Sequence, residues 1–187
     1  MSRARRFREI LQRGGLTIAP GAYDCITARS IVQAGFDAVY MTGAGTAATL
    51  GYPDYGLVTM SEMAENAGRI ASAVDAPVIA DADTGYGNEL NATRTVREYE
   101  QRGVAGLHIE DQGFPKKCGH LDNKVIVPID EYLAKIRAAL AARRDLTSSS
   151  LHALTAEQCL GSKRPSVVQM RLWPLVPTWR LSRLPKH

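Results

Sequence analysis

The groups in this chain that could do chemistry are concentrated between Pro77 and His120. The sequence there reads PVIADADTGYG, a spacer, and then GLHIEDQGFPKKCGH. Asp81 and Asp83 follow one short apolar run, Glu110 and Asp111 follow another, and Cys118 lies a few residues on. Gathered carboxylates are hard oxygen ligands of the kind Mg2+ takes, because that ion keeps several waters and needs few protein groups. Most Asp and Glu residues only cap elements or solubilise loops. What sets these apart is the convergence of DADTGYG, HIEDQ and KKCGH in one span. Cys118 is flanked by Lys116, Lys117, Gly119 and His120, surroundings unlike those of a cysteine used as a small core residue. The two lysines and His120 are expected to depress its pKa. His108, inside the second apolar run, fits a hydrogen-bonded structural role and a site role equally well.

Something must hold these groups together. Val78–Ala80 and Leu107–Ile109 read as buried parallel strands, which carry continuous apolar faces. The spacer Glu89–Gly103 is long enough for a crossover helix, giving a βαβ unit with acids at consecutive strand ends. On an extended strand Asp81 and Asp83, two apart, leave the same face. Acids at the carboxyl ends of neighbouring parallel strands sit where an α/β barrel keeps its active site.

The flanking sequence continues the alternation. Thr17–Pro20 reads as a first strand, Asp24 as the N-cap of a helix Cys25–Gly35, and Ala38–Thr42 as a second strand. A long loop, GAGTAATLGYPDYGLVT, follows. Thr59 and Glu62 have capping-box spacing, and Met60, Met63, Ala67, Ile70 and Val74 form a helical core stripe. A last helix runs from about Ile129 to Arg144 with Leu133, Ile136 and Leu140 inward. An amphipathic helix at the start carries Phe7, Ile10 and Leu11 on one side. With no antiparallel hairpin signal, the fold class is α/β, an incomplete (β/α)8 TIM-like barrel of about four βα units.

Residues 146–187 break the rhythm. They hold both tryptophans, four of the nine prolines, and six lysines and arginines against one acid, a balance of +5. The first 145 residues carry 17 bases and 18 acids, so the basic pI belongs to the tail and implies no nucleic-acid surface on the body. The chain therefore divides into residues 1–145, the barrel half with the site, and 146–187, an irregular and disordered tail. No run is long and apolar enough to span a membrane, and the basic start lacks the apolar middle of a signal peptide. Cys25, Cys118 and Cys159 show no paired or metal-ligand spacing, which fits a reduced cytoplasm.

DADTGYG, HIEDQ and above all KKCGH resemble the isocitrate lyase / phosphoenolpyruvate mutase superfamily, in its lyase branch, over roughly residues 18–145. The resemblance implies a Mg2+ site, with Mn2+ as an alternative ion, made by Asp81, Asp83 and Glu110, Asp83 being the direct ligand. It implies Cys118 as general acid, with Lys116 and His120 in its catalytic loop. On the substrate side it implies Tyr40, Asp54, Gly119, His120 and the segment Thr42–Ala44, whose N–H groups, Gly43 among them, would hold a carboxylate. Read by itself, Asp54 is equally a turn residue after Pro53. The activity implied is Mg2+-dependent carbon–carbon cleavage of a small 2-hydroxy or 2-methyl di- or tricarboxylate, releasing a 2-oxo acid through an enolate. Oxaloacetate decarboxylation is the nearest alternative, phosphonate mutase chemistry is a more distant one, and an inactive fragment is the reading of another class. Full-length relatives are expected to be homo-oligomers. Codons can be chosen so that a shifted frame across the tail spells a strand ending in RTD, an alanine-rich helix and a strand ending in VEAP. The reading frame is therefore expected to be broken near Asp145, leaving the fourth strand with an open edge and the chain without robust turnover.

Overall fold

The computed structural model describes residues 1–144 and one further strand at 150–154. The expected frame break at Asp145 and the character of the rest of the tail lie outside the described residues. Five parallel strands form one sheet in sequential order: β1 (Gly21–Ala22), β2 (Val39–Met41), β3 (Val78–Asp81), β4 (Gly106–Glu110) and β5 (Ser150–Leu154). The helices are α1 (Arg3–Gln12), α2 (Cys25–Gln33), α3 (Gly43–Thr49), α4 (Met60–Ala73), α5 (Glu89–Gln101) and α6 (Ile129–Ala142). Sequential parallel order with a helical crossover between neighbours is the construction of an α/β barrel wall, as the sequence suggested.

Local chemistry explains the boundaries. Asp24 caps α2 by accepting from the Thr27 N–H at 2.7 Å. Thr59 and Glu62 close a reciprocal capping box on α4, and Asn88 with Asn91 does the same for α5. Every residue of β3 is buried, as is β4 up to Ile109, so both strands need apolar side chains on both faces. The core between sheet and helices takes Met63, Ile70, Val78, Val96, Tyr99 and Ile109. A second cluster, Phe7 with Ala38, Ile79 and Ala105, seats α1 against the sheet. Burying a side chain the size of Phe7 contributes roughly 1.5–3 kcal/mol.

Several expectations need correction. The first strand is Gly21–Ala22, because Thr17–Pro20 pairs with β2 only through the Pro20 carbonyl, which accepts from Tyr40 N–H at 3.0 Å. The long loop after β2 contains α3, capped by Thr42. In α6 the buried face is Tyr132, Lys135, Ala139 and Ala142; Ile136 packs against the core as expected, whereas Leu133 and Leu140 are only half-buried. The small alanines bring the helix close, and the Tyr132 hydroxyl reaches the Ile109 carbonyl of β4 at 2.9 Å. An antiparallel bridge, Gln112 with Ile126, closes the base of the loop after β4, a pairing that no turn dipeptide signalled. Beyond the four expected units, β5 pairs with β4 from Gly106 to Glu110, so the β4 edge is not open.

Candidate active site at the strand ends

Asp81 ends β3 with its carboxylate fully engaged. Oδ2 accepts from the Gly43 N–H at 3.1 Å and the Tyr40 hydroxyl at 3.3 Å. Oδ1 accepts from the Asp83 N–H at 2.9 Å and faces His108 Nε2 at 3.3 Å. Four partners fill the lone-pair directions of a carboxylate. Gly43 is glycine for a direct reason, since any Cβ there would collide with the Asp81 carboxylate. Burial raises the Asp81 pKa, but His108, Lys116 and the two N–H groups outweigh it and hold the group below its ordinary value. Tyr40 stacks on His108 with ring centroids 5.5 Å apart and its hydroxyl 3.2 Å from Nδ1.

The chain leaves the strand at Asp81, so Asp83 is not the next same-face strand residue. Asp83 lies in the left-handed region at φ +45°, a conformation Asp tolerates better than most residues. Its carbonyl accepts from the Glu110 N–H at 2.7 Å, which ties the β3 turn to the end of β4. The following turn is pinned from behind: the Tyr86 and Tyr99 hydroxyls are 3.2 Å apart, and Tyr99 donates to the Asp81 carbonyl at 3.0 Å.

Lys116 closes the group. It is 2% exposed, with Nζ 2.5 Å from Asp54 Oδ1 and 2.6 Å from Asp83 Oδ1. Asp54 is therefore drawn into the cluster and is more than a turn residue. The Lys116 ammonium is the partner of the buried Asp83 Oδ1. Burial lowers the lysine's pKa, and the carboxylates of Asp83 and Asp81 more than reverse this, so it stays charged.

One cation among these acids is not enough. Burial, then repulsion from Asp81, pushes Asp83 up to about 7; the same two causes push Glu110 up to about 8. Carboxylates that resist ionisation together are stabilised by a further positive charge. Asp81, His108 and Glu110 each offer a ligand atom within 4.8 Å of one another, the one such group among the described residues. The carboxylate oxygens of Glu110 and Asp81 and the raised pKa values of Glu110 and Asp83 suit a hard divalent ion, so the residues present fit one. Of the expected set, Asp81 and Glu110 come together with His108, while Asp83 is not in that group and is held by Lys116.

The loop after β4 brings Cys118 to the same end of the sheet. Its N–H donates to the Asp54 carbonyl at 3.0 Å, and its Sγ is 3.6 Å from His120 Nδ1. The expectation of a depressed pKa is overturned: burial pushes the thiol up, and Asp54 adds to this more than Lys116 subtracts. Lys116 is turned onto the acids instead of onto Cys118. Gly119 and His120 are exposed. At the Thr42–Ala44 turn the Gly43 N–H is committed to Asp81, and Thr42 Oγ1 accepts from Gly45 N–H at 3.1 Å. Sequence reasoning assigned nothing to Gln112, Tyr86 or Tyr99. Gln112, directly after an acid-ended strand and 2% exposed, was the one with a readable signal.

Residues 7–154 match the phosphoenolpyruvate phosphomutase family. The chain is 53% identical over 144 residues to 2,3-dimethylmalate lyase of Eubacterium barkeri, covering 76% of this chain and 50% of that one. It is 48% identical over 143 residues to a probable 2-methylisocitrate lyase of Corynebacterium glutamicum, covering 76% and 47%. Among solved structures, oxaloacetate acetylhydrolase with bound 3,3-difluorooxalacetate superposes with a TM-score of 0.79 at 46% identity, over 86% of this chain and 56% of that one. A 2,3-dimethylmalate lyase gives 0.79 at 44% identity, over 86% and 55%. The chain spans about half the length of these curated relatives. No helix among the described residues is long and apolar enough to cross a membrane.

Proposed function

This chain belongs to the phosphoenolpyruvate phosphomutase / isocitrate lyase superfamily, and from that premise we propose that its strand ends form the cation site of a carbon–carbon lyase acting on a small 2-hydroxy dicarboxylate or tricarboxylate. Substrates of the 2,3-dimethylmalate or 2-methylisocitrate type are favoured by the relatives' names. The observation that carries the reading is the cluster of Asp81, His108 and Glu110, with buried Asp83 paired to the Lys116 ammonium, next to the loop that bears Cys118.

Asp83 and Glu110 would hold the ion directly, and Asp81, its four acceptor directions taken, would orient them and act through water. A bound Mg2+ or Mn2+ would polarise the substrate oxygen beside the breaking bond and stabilise negative charge there. Lys116 fixes Asp83 and Asp54 and adds a positive charge at the pocket wall. Cys118, kept as a thiol by burial, is the proton donor to the carbon released on cleavage. A thiol that holds its proton at neutral pH suits the general-acid role that the resemblance implied for Cys118. The two cysteines among the described residues are free, which supports a cytoplasmic setting.

The test is 2-oxo acid release from 2,3-dimethylmalate and 2-methylisocitrate, alongside Mn2+ binding by electron paramagnetic resonance. We expect Mn2+ to bind and Asp83→Ala to abolish binding with the fold intact. Whatever rate is seen should need Mg2+ and fall at least about a hundredfold in Cys118→Ser, the scale of a lost general acid. A chain that binds no divalent ion would refute the reading. Cleavage of oxaloacetate is the second reading, favoured by the superposition on oxaloacetate acetylhydrolase. Undiminished oxaloacetate turnover in Cys118→Ser would support the decarboxylating form, in which solvent can supply the proton.

A further inference from the structure

Gln112 has an unusual set of contacts for a residue with no chemistry of its own. Its side chain is 2% exposed, at the base of the loop that carries Cys118. Nε2 donates to the Lys117 carbonyl at 2.9 Å, and Oε1 accepts from the Lys117 N–H at 3.1 Å. One amide thus pairs with both backbone groups of the residue before Cys118, as a strand partner would. The remaining Nε2 hydrogen goes to Glu110 Oε2 at 2.7 Å. The backbone on either side of Gln112 is tethered as well: Gly113 N–H donates to the Val125 carbonyl at 2.7 Å and Val127 N–H to the Asp111 carbonyl at 2.9 Å. Gln112 is therefore a fixed post with one arm on an acid of the candidate cation site and two on the loop.

We propose that Gln112 is a positioning residue that couples occupancy of the cation site to the placement of Cys118, an inference that rests on the cation-site reading above. A cation on Glu110 fixes the orientation of its carboxylate, and therefore the acceptor that orients the Gln112 amide. The amide in turn sets the backbone from which Cys118 projects. Gln112 thus hydrogen-bonds both to an acid of this group and to the Lys117 backbone. A purely structural Gln112 would steady the loop equally with or without the ion. A coupling Gln112 makes loop exposure depend on the ion.

Alkylation of Cys118 by iodoacetamide reports that exposure, read by mass spectrometry of the peptide containing it so that Cys25 and Cys159 do not contribute. The full chain is used with Mn2+ as the probe, and Mn2+ binding is measured on the same samples. Two variants are compared: Gln112→Met, which keeps the shape and removes all three hydrogen bonds, and Gln112→Glu, which keeps the acceptor for Lys117 N–H and loses both donors. In the unsubstituted chain Mn2+ should slow alkylation at least about fivefold, the lower end of ordinary site-to-site coupling. Both variants should alkylate faster without metal and respond to saturating Mn2+ by less than twofold. Protection by Mn2+ that survives in both variants would overturn the proposal. So would Mn2+ binding to the unsubstituted chain with no change in alkylation. Failure of the unsubstituted chain to bind Mn2+ would instead remove the cation site itself, and the coupling with it.

Discussion

Replacing Lys116 by Met should weaken the metal-free protein and tighten its hold on a divalent cation. Met keeps most of the stem that packs in the wall and removes only the ammonium. That ammonium is 2.5 Å from Asp54 and 2.6 Å from Asp83, and the side chain is 2% exposed. Removing one partner of a buried ion pair costs about 3–5 kcal/mol because the other charge is left uncompensated. Lys116 is the charge partner of Asp83 Oδ1, so its removal leaves that buried oxygen without one. At roughly 2–4 °C per kcal/mol for a chain of this size, the metal-free melting temperature should fall by about 6–20 °C.

The same substitution removes a positive charge that a divalent ion would meet within a few ångströms. At an effective dielectric of about 20, a single charge about 5 Å from a divalent one is repelled by roughly 7 kcal/mol before relaxation, an upper bound. Even about 1.4 kcal/mol of that would tighten binding tenfold. Thermal unfolding with and without Mg2+ reads both effects, because an ion that binds the folded state raises its stability with concentration. The variant should start lower and gain more from Mg2+ than the parent does. An equal or smaller gain would mean that Lys116 and the ion do not share the same carboxylates, and the electrostatic account of this site would be wrong.

Two further outcomes follow from the same geometry. Asp83 and Glu110 have folded pKa values raised to about 7 and about 8, well above their unfolded values. Groups raised in this way favour the folded state below the unfolded pKa and lose that contribution as pH climbs through the folded pKa. Metal-free stability should therefore decline from about pH 4 to about pH 8, and saturating Mg2+ should flatten the decline; a metal-free profile that rises over this window would contradict the shifts. Tyr99→Phe leaves the buried Asp81 carbonyl without its donor and the Tyr86 hydroxyl without its partner. It should cost about 1–3 kcal/mol in urea unfolding, and a neutral result would show that water reaches the carbonyl.

Much of this architecture could be read from residue types because it depends on local rules. The apolar runs ending in DAD and HIED gave strands with acids at their carboxyl ends, and both strands appear within a residue or two of the expected bounds. The caps Asp24 and Thr59–Glu62 are side-chain-to-backbone contacts within three residues, so spacing alone revealed them. The first strand failed for a related reason. An apolar stretch before Pro20 looks like a strand, but only the two residues beyond the proline have a neighbour to pair with. On α6 the leucines suggested one face, yet the alanines decide it, because a small surface lets Tyr132 reach the sheet.

The charge arrangement could not be read this way, because it depends on distances across the fold. KKCGH reads as two lysines beside a cysteine, which suggests a lowered thiol pKa. In the folded chain Lys116 points away from Cys118 and into Asp54, which is 62 positions earlier in the sequence, and into Asp83. The Asp54 carbonyl meanwhile accepts from the Cys118 N–H, so the same residue that neutralises the lysine also holds the thiol in place. The consequence is a thiol shifted in the direction opposite to the one the lysines suggest. Lysine charge spent on carboxylates cannot stabilise a thiolate, and a half-buried thiol near Asp54 keeps its proton. A cysteine in that state can give a proton to carbon but is a poor nucleophile at neutral pH. The same sequence motif would have served covalent catalysis had Asp54 and Asp83 lain elsewhere.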